Sequence, residues 1–157
     1  AGRGMHGIAI GGEDFAASIK TAKTRGNEIT AGRELFVARS LLVLAAKEAG
    51  VQAIDSVFSD LRDEEGLIRE TAIIKELGFD GKSCVNPRQI EAIHSVFTPA
   101  RKDIDYAYRV LDVYEEAMRK KSGVVALDGK MIDMPMVTRA KRVLALALAA
   151  GIEKENS

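Results

Sequence analysis

The sequence predicts an α/β fold that consists of three strand-then-helix units and a C-terminal helical extension. Short apolar runs alternate with longer segments of helical periodicity, Gly50 and Gly78 follow two of those segments, and the alternation stops after Pro99. Strands that alternate with helices in this way run parallel, with right-handed crossovers. The pattern is typical of a doubly wound sheet or of a (β/α)8 barrel, and three strands alone would be a poor core.

The first unit begins with a strand over residues 6–11 and continues into a loop with the sequence GGEDFAAS. A polar stretch follows, and then a long helix over residues 32–49. Apolar residues at helical spacing predict the face that this helix buries. That predicted stripe comprises Leu35, Ala38, Leu41, Leu42 and Ala45.

The second and third units repeat this order. The second has a strand over residues 52–58 and a helix over residues 63–77. The third has a strand over residues 82–86. Its helix is predicted to open with Asn86 as the N-cap, proline at the first helical position and Gln89 at the third, which completes a capping box.

The pattern changes after the third unit. We predict a long helix over residues 101–121, a small β-like or loop element in SGVVALDGKMIDMP, and a final helix over residues 134–150. The dipeptide Asp128–Gly129 in that element predicts a turn. The domain organisation is therefore predicted as 1–98 for the strand–helix units and 99–157 for the extension.

The composition argues against several classes of function. The 157 residues include 23 Lys+Arg and 23 Asp+Glu, so there is no basic excess to recruit nucleic acid or an anionic membrane. The longest apolar run, residues 143–151, is too short to span a bilayer. A single cysteine permits no disulfide within the chain, so a cytoplasmic location is expected. No glycine-rich nucleotide motif follows a predicted strand.

Because the chain opens AGRGMHG without an initiator Met, we expect its beginning to be missing.

The GGEDFAAS loop raises the first functional question. In parallel α/β folds, ligands bind at the carboxyl ends of the strands, where Glu13 and Asp14 lie. Mg²⁺ is held by one or two carboxylates together with water and substrate oxygens, so Asp14 is a candidate metal ligand. The alternative is a helix cap formed by Asp14, with Ser18 in the first turn. Spacing alone leaves these two interpretations evenly balanced.

Asp133 in GKMIDMP is the second candidate. An Asp followed by Met134 and Pro135 is typical of a helix start, which favours a capping role. Capping is compatible with chemistry, because a cap residue is rigidly held and can present an oxygen to a neighbour. Asp55 lies within a predicted strand, where it faces either a barrel interior or an outer salt bridge.

The remaining polar residues have simpler interpretations. The acidic run between residues 60 and 65 fits a solvated helix start. His94 is expected in the core or half-buried, and Cys84 is expected to be a buried, inert thiol. His6 precedes a predicted strand. Because neither histidine lies in a metal-ligand pattern, the two histidines predict no metal site. A modest basic cluster suits either a phosphate-bearing ligand or a solvated loop; it comprises Lys20, Lys23, Arg25 and Arg33.

Four phrases resemble the citrate lyase β-subunit family, whose close relatives are malyl-CoA and citramalyl-CoA lyases. They are GGEDFAAS, ARSLLVLAAKEAGVQAIDSVFSDLRDEEGL, ELGFDGKSCVNPRQI and GVVALDGKMIDMPMVTRAKRVL. The resemblance spans nearly the whole chain but corresponds only to the C-terminal part of the family. It implies the C-terminal portion of a (β/α)8 TIM barrel, about three βα units, plus a helical extension.

The resemblance also implies roles for individual residues. Asp14 is implied as one Mg²⁺ ligand, and Gly12, Glu13 and Phe15 as the substrate-binding segment for a 2-oxo acid. Two glycines let the backbone approach such a small ligand closely. Asp133 is implied as the acid/base residue, on a tail that reaches the active site of an adjacent subunit. A second metal-binding Glu and a substrate-clamping Arg belong to earlier strands of the family, which this sequence lacks.

The implied activity is Mg²⁺-dependent cleavage of a citryl thioester on an acyl carrier protein to oxaloacetate and an acetyl thioester. Malyl-CoA or citramalyl-CoA lyase activity is the alternative. A further alternative is a catalytically incomplete fragment with a structural or assembly role. The implied partners are an acyl carrier protein or CoA thioester, oxaloacetate, further copies of the chain in a trimer or hexamer, and other lyase subunits.

Overall fold

The chain divides into two compact units, an N-terminal unit within Ala1–Phe97 and a C-terminal unit within Thr98–Ser157. Each unit has its own secondary-structure elements and its own apolar core. The structure is a computed structural model that describes residues 4–22, 32–120 and 126–152.

The N-terminal unit contains a parallel sheet whose strands are connected by helices. The strands are β1 (Gly7–Ala9), β2 (Gln52–Asp55) and β3 (Gly81–Lys82). The helices are α1 (Gly12–Ser18), α2 (Arg33–Glu48), α3 (Glu64–Leu77) and α4 (Gln89–Phe97). The strand order is β1-β2-β3 and both pairings are parallel, which confirms the predicted α/β class. Strands β2 and β3 are shorter than predicted, because the chain leaves the ladder soon after Asp55 and Lys82.

The buried face of α2 differs from the predicted stripe. Leu35, Val43 and Ala46 are buried, whereas Leu41 is 62% exposed and Leu44 is 67% exposed. The apolar core beneath the helix also contains Ala53, Ile74 and Phe79. The helix carries apolar residues on both sides, so helical spacing alone could not identify the side that packs on the sheet.

The start of α3 follows the prediction, whereas the start of α4 does not. Asp63 caps α3 by accepting a hydrogen bond from the backbone N–H of Gly66 at 2.7 Å. Helix α4 begins only at Gln89, because Asn86 forms a turn in which its side chain accepts from the N–H of Arg88. The side chain of Gln89 accepts from the N–H of Val85, so the predicted box with Asn86 is wrong.

The C-terminal unit is a helix pair with a small hairpin. Its elements are α5 (Arg101–Arg119), β4 (Ala126–Leu127), β5 (Lys130–Met131) and α6 (Met134–Ala149). The strands are antiparallel, and Asp128 and Gly129 join them with φ of 50° and 75°, which confirms the predicted turn. Val110 of α5 and Val137 of α6 belong to the core of this unit. Among the described residues, no helix is long and apolar enough to cross a membrane.

Candidate functional site

The segment after β1 is a short helix rather than the predicted loop. Gly11 occupies the N-cap position of α1, and its carbonyl accepts from the N–H of Phe15 at 2.9 Å. Asp14 lies in the first turn, where a negative charge suits the helix dipole, so the interpretation of Asp14 as the cap is wrong. Ser18 closes the helix instead of lying in its first turn, and its hydroxyl donates to the Phe15 carbonyl at 2.7 Å.

Asp14 is an exposed carboxylate beyond the carboxyl end of β1. Glu13 beside it is also exposed, whereas Phe15 is half-buried. The Oδ2 atom of Asp14 lies 3.2 Å from the point that a Cβ on Gly11 would occupy, so a side chain at position 11 would press on this carboxylate. Within the part of the chain that the structure describes, no three His, Cys, Asp or Glu side chains group in a way that could hold a metal ion.

Gly12 is buried, and its surroundings explain why it is a glycine. A Cβ at this position would lie 2.6 Å from Ser56 Oγ and 3.0 Å from Leu35 Cδ1. A distance of 2.6 Å is too short for such atoms, so a larger residue would force Ser56 or the start of α1 to shift. The close approach at Gly12 is therefore to the protein's own Ser56, a reason that the sequence did not suggest.

Asp55 belongs to a buried ion network, which decides between its two predicted environments in favour of the salt bridge. Its side chain is fully buried and accepts from Arg39 Nε at 2.8 Å and from Arg39 Nη2 at 2.9 Å. Lys82 Nζ donates to Asp55 Oδ2 at 2.8 Å and to Glu70 Oε1 at 2.5 Å. We call Arg39, Asp55, Glu70 and Lys82 the buried network; they come from α2, β2, α3 and β3.

The buried network is electrically balanced, with two cations and two anions. Burial alone would raise the pKa of Asp55, but Lys82 and then Arg39, by their charges and hydrogen bonds, together hold that pKa below its usual value. Removing one member of such a network leaves an uncompensated buried charge. The sequence offered one weak signal for it, an Arg among the apolar residues of a predicted helix.

Asp133 is the N-cap of α6, as the helix-start pattern predicts. Its Oδ1 accepts from the backbone N–H of Met136 at 2.9 Å, and the side chain is exposed. Met131 and Met134 on either side are also exposed. Asp14 and Asp133 lie in different units.

The predicted burial of His94 and of Cys84 is wrong. His94 is exposed, because α4 turns Ala92 and Ile93 inward instead. Cys84 is also exposed, because it follows the two-residue β3 and lies outside the sheet. The acidic run behaves as a helix start, with Asp63 as its cap.

The basic cluster is only partly described. Lys20 and Arg33 are exposed, and Lys23 and Arg25 lie outside the described residues.

A small polar cleft of about 250 Å³ lies between the starts of α3 and α4. Its acidic side is formed by Asp60, Asp63 and Glu64. Asn86 and Arg88 line the other side. These loops follow β2 and β3, so the cleft lies at the same carboxyl edge of the sheet as Asp14.

Comparison with known proteins gives one family. The family model described as HpcH/HpaI aldolase/citrate lyase matches residues 1–87. The chain is 46% identical over 155 residues to citrate lyase subunit beta of Haemophilus influenzae, which covers 99% of this chain and 51% of that protein. It is 34% identical over 143 residues to the mitochondrial citramalyl-CoA lyase of Rattus norvegicus, covering 91% of this chain and 41% of that protein.

A solved structure is also similar. The protein CitE from Mycobacterium tuberculosis, in complex with magnesium, acetoacetate and coenzyme A, matches with a TM-score of 0.72 and 32% identity. The match covers 88% of this chain and 51% of that chain. The chain thus spans about half the length of the curated relatives that it matches.

Proposed function

Because the chain belongs to the HpcH/HpaI aldolase/citrate lyase family, we propose that it is part of a carbon–carbon lyase that cleaves a 3-hydroxy-acyl thioester. The proposed substrate is a citryl thioester on an acyl carrier protein, and the products are oxaloacetate and an acetyl thioester. One observation carries this choice over a CoA thioester. The chain is 46% identical to a citrate lyase subunit beta but 34% identical to a citramalyl-CoA lyase.

The proposed fold is the C-terminal portion of a (β/α)8 barrel, with residues 1–98 as its last βα units and 99–157 as the extension. The strand order supports this proposal. The three strands are neighbours in the order in which the chain makes them, as in a barrel, whereas a doubly wound sheet reverses direction at a switch point.

Asp14 is the proposed magnesium ligand. Its carboxylate is exposed at the carboxyl edge of the sheet, and Mg²⁺ needs only one or two protein carboxylates because it retains water and binds substrate oxygens. This donor set fits one half of a metal site. When bound, the ion supplies Lewis acidity to the hydroxyl and carboxylate oxygens of the substrate. The presence of magnesium in the M. tuberculosis relative supports this role.

The residues around Asp14 are the proposed site for the 2-oxo acid product. Gly12, Glu13 and Phe15 belong to one short helix with Asp14, so one segment binds the product and holds the metal.

Asp133 is the proposed acid/base residue. In cleavage, a base removes the proton of the 3-hydroxyl as the carbon–carbon bond breaks, and the thioester enolate that leaves then gains a proton. The cap bond uses Oδ1 of Asp133, and a carboxylate has a second oxygen that can exchange a proton. The exposed side chains of Met131 and Met134 support a further proposal, that this edge is covered by an adjacent subunit of a trimer or hexamer.

A turnover comparison tests the substrate. The purified chain, alone and with the other lyase subunits, is supplied with Mg²⁺ and with a citryl carrier protein, citramalyl-CoA or malyl-CoA. We expect cleavage of the citryl carrier protein, detected as oxaloacetate. Cleavage of only a CoA thioester would transfer the assignment to the alternative lyases.

The third candidate is a catalytically incomplete polypeptide with an assembly role. It is favoured by one observation, that the described residues provide Asp14 with no cluster of further metal ligands. In that case the chain cleaves none of the three thioesters in any mixture but co-purifies with the other lyase subunits. If any mixture cleaves a thioester and the cleavage is lost when Asp14 is replaced, the chain is catalytic and this third candidate is excluded.

A further inference from the structure

The first turn of α1 packs against Ser56, the residue that follows β2. A Cβ on Gly12 would lie 2.6 Å from Ser56 Oγ and 3.1 Å from Ser56 Cβ. Gly12 and Ser56 are both buried, so no solvent layer separates them. We call this contact the Gly12–Ser56 seat. A Cβ there would overlap Ser56, so the backbone of Gly12 packs directly against this residue, and a shift of Ser56 toward α1 would displace the start of that helix.

Ser56 is held in turn by Lys82 of the buried network. The ammonium Nζ donates to the backbone carbonyl of Ser56 at 2.8 Å and to Asp55 Oδ2 at the same distance. The Lys82 side chain is 0% exposed, so water cannot replace these bonds. One buried cation on β3 therefore fixes the last residue of β2, Asp55, and the residue after it, Ser56.

We propose that Lys82 and Ser56 are positioning residues for Asp14, which lies two residues after Gly12 in the first turn of α1. The proposal rests on the metal-binding role proposed for Asp14. Neither residue contacts the metal or the substrate in this scheme. Lys82 holds Ser56 through a hydrogen bond, and Gly12 packs against Ser56. The Gly12–Ser56 seat thereby determines where the Asp14 carboxylate points. Ligand geometry has to be held to a fraction of an ångström, so a loosened seat weakens the site.

The first test compares Lys82→Met with Glu70→Gln in the whole chain. Both substitutions perturb the buried network, but only the first removes the donor to the Ser56 carbonyl. The measurement is NMR hydrogen exchange at Phe15 and Ile19, whose amides are hydrogen-bonded within α1 and at its end. In Lys82→Met we expect these amides to exchange about fivefold faster or more, relative to the core amides of α3. In Glu70→Gln that ratio should stay near the wild-type value. An unchanged ratio in Lys82→Met, or an equal rise in both variants, would overturn the proposal.

A second test uses variants at the contact itself and does not depend on whether Lys82→Met folds. Gly12→Ala should displace α1 and shift the amide signals of residues 13–15. Adding Ser56→Gly removes both close Ser56 atoms while Leu35 Cδ1 remains, so those signals should return part of the way toward their wild-type positions. If the double variant keeps the full shift of Gly12→Ala, Ser56 does not position α1 and the proposal is wrong.

The metal arm separates this proposal from the proposed function. Mn²⁺ is titrated as a paramagnetic probe, and broadening of the amide signals of residues 13–15 is followed. We expect the apparent Mn²⁺ affinity to fall in Lys82→Met and to be retained in Glu70→Gln. If the wild-type chain shows no broadening there, the metal role of Asp14 fails. The hydrogen-exchange results and the Gly12→Ala/Ser56→Gly double variant then still decide whether Lys82 and Ser56 position α1.

Discussion

The two units hold their candidate carboxylates in different ways. Asp133 is fixed by its own helix, through one bond to a backbone N–H three residues later. Asp14 lies on a seven-residue helix that packs on Ser56, next to a network of buried charges drawn from four elements. Asp133 thus depends on local sequence, whereas Asp14 depends on long-range packing. The N-terminal unit is the one in which a distant substitution can disturb a candidate site.

The largest effect is expected from Asp14→Asn in a preparation that cleaves the citryl thioester. Loss of the proposed metal ligand removes both positioning and charge stabilisation. A general acid–base residue contributes about 10²–10⁴-fold to turnover, and we expect a larger fall here. We also expect weaker Mg²⁺ binding. The measurement is oxaloacetate release as a function of Mg²⁺ concentration. Wild-type turnover in this variant would remove Asp14 from the mechanism.

Asp133→Asn should lower turnover by about 10²–10⁴-fold and leave Mg²⁺ affinity unchanged. The fold should persist, because Asn caps a helix as well as Asp does. Asp133→Ala is the matched control for capping and should additionally cost about 1 kcal/mol of stability in the C-terminal unit. Kinetics and urea unfolding separate the two effects. Full activity in Asp133→Asn would leave this residue with capping alone.

Arg39→Met should destabilise the N-terminal unit by about 3–5 kcal/mol, because it leaves an uncompensated charge in the buried network. Arg109→Met is the control in the C-terminal unit. Its pair with Asp128 is exposed, so its loss should cost less than about 1 kcal/mol. Urea unfolding followed by residue-resolved NMR signals measures both. Similar costs for the two substitutions would contradict the contrast between the units.

Ile104→Val tests packing in the C-terminal unit. Ile104 is buried in α5, and removal of one methylene group should cost about 0.5–1.5 kcal/mol. Urea unfolding followed by residue-resolved NMR signals of this unit reports the cost. A cost near zero would contradict tight packing around Ile104.

The smallest effect is expected from mild acid. The pKa of Asp55 is lower in the folded chain than its ordinary value of 3.8, so its contribution to stability is complete above that value. The contribution is lost only as the pH falls through the lowered folded pKa. Between pH 8 and pH 5 we therefore expect no change in stability from Asp55. Comparison of wild type with Asp55→Asn in urea at several pH values measures this contribution. A decline that begins near pH 6 and is absent in Asp55→Asn would contradict the low pKa.

Features fixed by local sequence could be predicted. The helix start in the acidic run of residues 60–65, the cap at Asp133 and the Asp128–Gly129 turn depend on residues within a few positions of one another. The buried network could not be predicted, because Arg39 and Lys82 lie 16 and 27 positions from Asp55.

Helix α1 was also missed. Seven residues are too few to form a stable helix alone, and its packing against Ser56 depends on a contact between distant segments. The exposure of His94 depended on which face of α4 packs inward, which spacing could not decide.

The edge of the small sheet has a practical consequence for handling the protein. Within the described residues, β1 is hydrogen-bonded to another strand on one side only, and Val37 and Leu41 of α2 are exposed. An open strand edge is a template for pairing with other chains, and exposed apolar side chains add to that attraction. At high concentration, the isolated chain is therefore expected to aggregate through its first strand, and a second polypeptide that pairs with that strand should keep it in solution.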